Sequence, residues 1–234
     1  MERYLPPVAP DLREVVIFID FESNGGVPSK NGFMEFGAVA KVLGTNQDIS
    51  TFHGYASQNG YVPDERCSVE FWMKNDEMKA RYDAIIAICE TAPTSSPHQV
   101  VQNFIIWLHL LVAGLNLKNV QLATDCSTYD TGMLKAFSNI DTMYLFGEPR
   151  DIIDIGMLYY GLGRRPFTKA LFDGSSKAEA VRALNEMFPN DEQITELPAK
   201  TKHTHNPVED AMNMGERYSY VVQRLMGVPH ASCM

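Results

Sequence analysis

Asp20 and Glu22 stand two residues apart at the end of an apolar run, Val15 to Phe21 (VVIFIDF). A strand turns residues i and i+2 to the same face, so both carboxylates leave one rigid element on one side. Two ionised carboxylates held together repel unless a proton or a cation lies between them. An oxygen-only ligand set of this kind suits a hard divalent cation, Mg²⁺ or Mn²⁺. Alone the pair says little, because one exposed acid and one acid near a strand end give the same pattern. A second group lies far along the chain, in His205-Asn-Pro-Val-Glu-Asp210. Asn206 can cap a helix, Pro207 suits the first helical position, and Glu209 follows in the first turn. Asp210 and Met214 are four residues apart and share a helix face, which predicts an inward-facing acid. Its plainer role is to complement the positive end of the helix dipole.

The elements that must position these groups are legible in outline. The apolar run at 15–21 reads as a strand buried on both faces, with its C-terminal end at a site. Asn24-Gly25-Gly26 breaks it. Residues 35–43 (EFGAVAKVL) and 49–56 read as two further strands, and short connections make the three an antiparallel meander. A helix is predicted after Ser68, with Phe71, Met78 and Tyr82 at helical spacing. A second runs from Ser96, a cap followed by Pro97 and by Gln99 of a capping box, to Gly114. Residues 119–123 form a fourth strand, 129–137 a short helix, 151–155 a short strand leading into a helix, and 176–188 another helix. The last helix opens at Asn206 and stops at Gly227, with Ala211, Met214, Tyr218, Val221, Val222 and Leu225 as its apolar stripe. Residues 1–14 read as an irregular leader, 15–227 as one domain and 228–234 as a tail. The order of elements predicts a mixed sheet covered by helices.

Composition narrows the function class. With 234 residues, 45% hydrophobic and 21% charged, the chain has the make-up of a globular protein with a substantial core. No uninterrupted apolar run reaches the roughly 18 residues of a membrane span. Residues 1–10 lack a basic-then-apolar pattern, so the expectation is a cytoplasmic or other intracellular protein with no signal peptide and no membrane partner. The four cysteines show no Cys-x-x-Cys spacing, and reduced thiols are expected. A net charge of −9 argues against broad binding to long duplexes. It leaves room for a nuclease, because bound divalent cations reverse the local sign.

Taken in order, Asp-x-Glu on the first strand, a middle aspartate, and His-x-x-x-x-Asp opening a late helix resemble the DEDDh 3′→5′ exonuclease superfamily. FIDFES with EFGAVA, SVEFWMKNDEMKAR, LATDCSTYDTGMLKAF and HNPVEDAMNMGERYSYV look most like the phage exonuclease A and mycobacterial-type exoribonuclease group. The likeness runs from about Val15 to Leu225, with 163–204 poorly matched and read as a variable insertion. It implies an α/β, ribonuclease-H-like fold with a mixed five-stranded sheet flanked by helices. Both Asp125 and Asp130 follow the fourth strand. The family pattern of an aromatic residue before the acid selects Asp130, after Tyr129. Of His203 and His205, only His205 has the family spacing to Asp210.

The resemblance further implies that Asp20, Glu22, Asp130 and Asp210 hold two divalent metal ions, Mg²⁺ or Mn²⁺, about 3.5–4 Å apart. His205 would be the general base, its ordinary pKa of about 6.5 lying near working pH. The implied substrates are single-stranded DNA or RNA 3′ ends, with DNA slightly favoured and a nucleoside 5′-monophosphate released. A homodimer is compatible with this reading. Phe21 is expected in the core. Ser23, Asn24 and Gly25 are candidates for the terminal-nucleotide pocket. Phe71 and Trp72 are candidates to stack on a base, or simply to pack the helix. Arg165, with Arg164, Lys169, Lys202 and His203, is a candidate phosphate contact or part of a solvated basic loop. A non-catalytic binding module on the same fold is the competing class, and a phosphodiesterase for very short oligonucleotides would use the same residues.

Overall fold

The strand that carries Asp20 and Glu22, β1 (Glu14–Glu22), lies in the middle of the sheet. In the computed structural model, which describes residues 14–42, 47–91, 95–117, 119–124, 126–138, 152–154, 182 and 204–225, β1 pairs antiparallel with β2 (Glu35–Val42). β2 pairs antiparallel with β3 (Asp48–Tyr55). On its other side β1 pairs parallel with β4 (Asn119–Thr124), which pairs parallel with the short β5 (Ile153–Asp154). The mixed five-stranded sheet has the order β3-β2-β1-β4-β5. A strand paired on both edges and covered on both faces requires apolar residues throughout, which is what VVIFIDF supplies.

The two faces of β1 enter different cores. Val15, Ile17, Ile19 and Phe21 pack with Phe36, Ala38 and Ala40 against α4 (Pro97–Leu115) and α5 (Ser127–Phe137). Phe21 stacks on Phe36 with ring centroids 4.0 Å apart, the core position expected for it. Val16 and Phe18 pack with Val39 against Ala211 and Met214 of α6 (Pro207–Leu225). Asp20 and Glu22 continue this second, even-numbered face, so the strand period aims them at the start of α6.

α4 is long and apolar enough, by length and composition, to cross a membrane. Its Val100, Val101, Phe104 and Leu108 lie in the sheet core, while Ile106 and Leu110 are exposed. Ser96 caps it by accepting a hydrogen bond from Gln99 N at 3.2 Å. Two details depart from expectation. Gly114 lies within the helix, which ends instead at left-handed Asn116 (φ 50°), and the Gln99 side chain donates to Asn103 rather than back to the cap.

The single helix expected after Ser68 is broken into two. Beyond the short α1 (Pro28–Asn31), α2 (Glu65–Cys67) runs into a π-helical turn, Ser68–Trp72, and α3 (Asp76–Thr91) starts afresh. Asn75 makes the restart, its Oδ1 accepting from Met78 N at 2.9 Å. The wide turn sends Trp72 inward, where it packs with Met34, Ile85 and Cys89 in a third cluster. The helix expected at 176–188 and the stop at Gly227 lie outside the described residues, apart from Arg182.

Candidate metal centre and its surroundings

Asp20 and Glu22 are 7% and 5% exposed at the C-terminal end of β1. Asp210, 2% exposed, meets them from the first turn of α6. One ligand oxygen from each of the three lies within 4.8 Å of the others. Residues far apart in sequence meet here because α6 is anchored at its first turn. Asn206 Oδ1 accepts from Val208 N at 3.1 Å and Glu209 N at 3.4 Å, the cap that the sequence predicts. Asp210 Oδ1 also accepts from Thr204 N at 3.0 Å, which closes the chain preceding the helix back onto it. The helix can come this near the sheet because Gly37, opposite Asp20 on β2, has no side chain. A Cβ there would sit 2.3 Å from the Pro207 carbonyl carbon.

His205 stands beside this trio. Its Nδ1 is 3.5 Å from Glu22 Oε1 and its side chain is 13% exposed. Phe71 meets the imidazole edge-on at a centroid distance of 4.9 Å, and Trp72 lies at 6.1 Å. The backbone of His205 is left-handed, φ 55°. Arg81 of α3 donates from Nε to the His205 carbonyl at 2.8 Å and from Nη2 to Glu35 Oε2. Glu35 is wholly buried and faces Glu22 across the β1–β2 ladder. Its other oxygen lies 2.6 Å from His53 Nε2. Burial alone would lower the Arg81 pKa, but its hydrogen bond and charge interaction with Glu35, with lesser help from Tyr55 and Glu22, raise it overall.

Asp130 arrives by a separate route. It is 1% exposed in the first turn of α5 and accepts a hydrogen bond from Thr124 Oγ1 at the end of β4. Ala123 pairs with Phe18, so Thr124 lies at the same edge of the sheet as Asp20. Asp130 is not part of the compact group of three. It is tied to that group through Tyr129, whose hydroxyl bonds Ser23 Oγ. The Tyr129 phenol is raised above its ordinary range. Burial is the main cause, opposed by the Ser23 hydrogen bond and reinforced by the charges of Asp130 and Glu22. Asp125 and His203, the alternatives, lie outside the described residues.

The expected substrate contacts fare unevenly. Trp72 has no exposed surface, so it offers no face to a base. Its indole N–H donates to the Ser23 carbonyl at 3.0 Å and so supports the turn after Glu22. Phe71, beside it, is 37% exposed. Ser23, Asn24 and Gly25 are buried. Ser23 Oγ bonds the backbone of Gly25, Asn24 Nδ2 donates to Gln58 at 3.2 Å, and Asn24 O accepts from Asp64 N at 2.7 Å. These groups hold the turn together rather than standing open to a ligand. Arg165 and its basic neighbours lie outside the described residues. A cavity of about 220 Å³ does open beside His205, lined among others by Phe71, Lys74, Met78, Arg81 and Thr204.

Sequence reasoning missed Glu35, Arg81 and Thr124. A signal for Glu35 existed, since an acid opening the otherwise apolar strand EFGAVA requires a cationic partner if buried. The identity of that partner was not readable, because Arg81 comes from a different layer of the fold.

The donor set fits hard divalent cations. Buried carboxylates converge among the described residues, and burial favours an ion that offsets their mutual repulsion.

No family model matches the chain, and no curated protein matches it. Solved structures do. A full-length 3′-exonuclease is 16% identical, with a TM-score of 0.50 over 95% of this chain and 65% of that one. A product-bound exonuclease I is 10% identical, with a TM-score of 0.50 over 92% of this chain and 48% of that one. A nuclease domain described as a DEDDh family member bound to rAMP is 16% identical, with a TM-score of 0.48 over 97% of this chain and 100% of that one. The chain thus spans 65% and 48% of the first two proteins. These solved structures are exonucleases, and what the chain shares with them is the fold, a mixed sheet flanked by helices.

Proposed function

We propose that this chain is a metal-dependent 3′→5′ exonuclease that releases nucleoside 5′-monophosphates from single-stranded ends. The observation that carries the reading is the meeting of buried Asp20, Glu22 and Asp210 beside His205. Asp20, Glu22, Asp210 and Asp130 would hold two divalent cations, Mg²⁺ or Mn²⁺. Bound there, the cations would neutralise the scissile phosphate and stabilise charge on the leaving 3′ oxygen. His205 would take the proton from the water that attacks the phosphorus as the bond to the 3′ oxygen breaks. Glu22 Oε1 lies 3.5 Å from the His205 Nδ1. The cavity beside His205 would receive the end of the strand. Lys74 stands on its wall together with Glu77 and with Arg81, which is paired with Glu35.

Within this reading the motifs most resemble the phage exonuclease A and mycobacterial-type group, and DNA would be slightly favoured over RNA as substrate. The test is a time course on 5′-labelled single-stranded DNA and RNA oligomers of one sequence, with Mg²⁺, Mn²⁺ or chelator. A metal-dependent ladder shortening from the 3′ end is expected, faster on DNA. A faster RNA ladder would make the chain an exoribonuclease. Absence of cleavage with either metal would remove the enzymatic reading in favour of a binding module.

A further inference from the structure

His205 holds a backbone conformation that side-chain-bearing residues seldom adopt, φ 55°. Such a conformation persists only where surrounding contacts impose it. Contacts from several elements surround it. Phe71 and Trp72 border the imidazole. Thr204, the preceding residue, is bound through its backbone N–H to Asp210. The His205 carbonyl accepts the Arg81 Nε hydrogen bond at 2.8 Å. Arg81 is itself fixed at its far end by Glu35, which has no exposed surface and is held from its other side by His53. A guanidinium is a planar fork that can hold two acceptors in fixed relation, which an ammonium cannot.

We propose that Arg81, clamped by Glu35, is the positioning residue for His205: it ties the His205 backbone to the strand neighbouring Glu22 and thereby aims the imidazole at the carboxylate site. The proposal rests on the exonuclease reading for its kinetic consequences, but not for its structural one. β2 is laced to β1 residue by residue, with Glu35 opposite Glu22. The clamp therefore measures the His205 carbonyl against the same ladder that carries Glu22. His205 lies on the segment leading into α6 and has no ladder of its own. Without Arg81 its carbonyl would lose this hydrogen bond to α3.

The experiment uses the full chain with Arg81→Lys and Arg81→Ala. Arg81→Lys keeps a cation for Glu35 and so guards against misfolding. The first readout needs no catalysis: the ring C–H resonance of His205 by NMR, identified by its loss in His205→Gln. Bordered by two aromatic rings, it is expected to be displaced by ring currents in the wild type and to move toward the ordinary histidine position in both Arg81 variants. The second readout is turnover of a single-stranded oligomer. Misplacing a reacting group by about 1 Å costs on the order of 10²-fold, so kcat is expected to fall by about that factor with KM within about twofold. Added guanidinium is expected to recover part of kcat in Arg81→Ala. An unmoved His205 resonance in both folded variants would overturn the proposal. So would a raised KM at unchanged kcat, which would make Arg81 a substrate contact. If the wild type cleaves nothing, the function reading fails by itself, and the resonance still decides the positioning role.

Discussion

Asp20 and Gly37 face each other across the β1–β2 ladder, and the start of α6 rests on the bare backbone of Gly37. This one absent side chain sets how closely Asp210 can approach Asp20 and Glu22. A methyl group at residue 37 would lie 2.3 Å from the Pro207 carbonyl carbon and 2.4 Å from Val208 N. Both are backbone atoms that cannot rotate away. Gly37→Ala is therefore expected to cost about 1–3 kcal/mol, as overpacking does, and to lower turnover on the order of 10²-fold by shifting Asp210. Urea unfolding and the oligomer assay check the two effects. Wild-type values in both would show that the helix start is not set by this contact.

The carboxylate trio predicts a dependence of stability on divalent ions. Three buried acids repel one another when no cation is bound. Asp20→Asn is expected to melt at or above the wild-type temperature in chelator. Mg²⁺ or Mn²⁺ should stabilise the wild type, by about 2.7 kcal/mol at a hundredfold excess over Kd, and the variant much less. Turnover should be lost in the variant. A wild type whose melting ignores both metals would remove the cation from the site.

Thr124 donates to Asp130 and so orients the fourth acid. Removing a group that orients a metal ligand typically costs about 10–100-fold in affinity or activity. Thr124→Val should show a loss of that size, Asp130→Asn a larger one, and Asp125→Asn little. If Asp125→Asn proved the most damaging, the fourth ligand would be Asp125.

Trp72 links the π-helical turn to the residue after Glu22 by its indole N–H. Trp72→Phe keeps an aromatic ring, though a smaller one, and leaves the buried Ser23 carbonyl without that donor, a loss of about 1–3 kcal/mol from the hydrogen bond alone. Chemical denaturation measures it. Full retention of stability together with a higher KM would instead make Trp72 a substrate contact.

The Tyr55 phenol is pushed up from 10.0 to about 12, by burial first and then by the charge and hydrogen bond of Glu35. The folded state holds this proton more tightly than the unfolded chain. Its contribution is therefore fully present below about pH 10 and is lost as pH rises toward about 12. Urea midpoints between pH 8 and pH 11 should fall more steeply for the wild type than for Tyr55→Phe. Parallel slopes would show that Tyr55 does not couple to folding.

Much of the framework was readable because it depends on local periods. The apolar run of β1 announced a central strand, and a two-residue repeat placed Asp20 with Glu22. Asn206, Pro207 and Glu209 announced the start of α6, because capping chemistry is encoded within one turn. The break between Trp72 and Asp76 was not readable. The helical spacing of Phe71, Met78 and Tyr82 hid it, and the reason for the break is a partner 49 residues earlier, the Ser23 carbonyl.

The sequence by itself determined which groups could do chemistry and which element carries each. The side of β1 that bears Asp20 and Glu22 follows from strand period, while the choice of Asp130 over Asp125 and of His205 over His203 came from the resemblance to the exonuclease motif order. Only the tertiary structure decided that Asp210 comes within 4.8 Å of Asp20 and Glu22, and that Asp130 is held by Thr124 outside that group of three. It also decided that Arg81 and Glu35 brace His205. The division has a physical cause. Periodicity acts over neighbouring residues and can be read from spacing. The convergence of carboxylates rests on a helix settling against a glycine more than 160 residues away in the chain, a steric fit between backbones that no local pattern records.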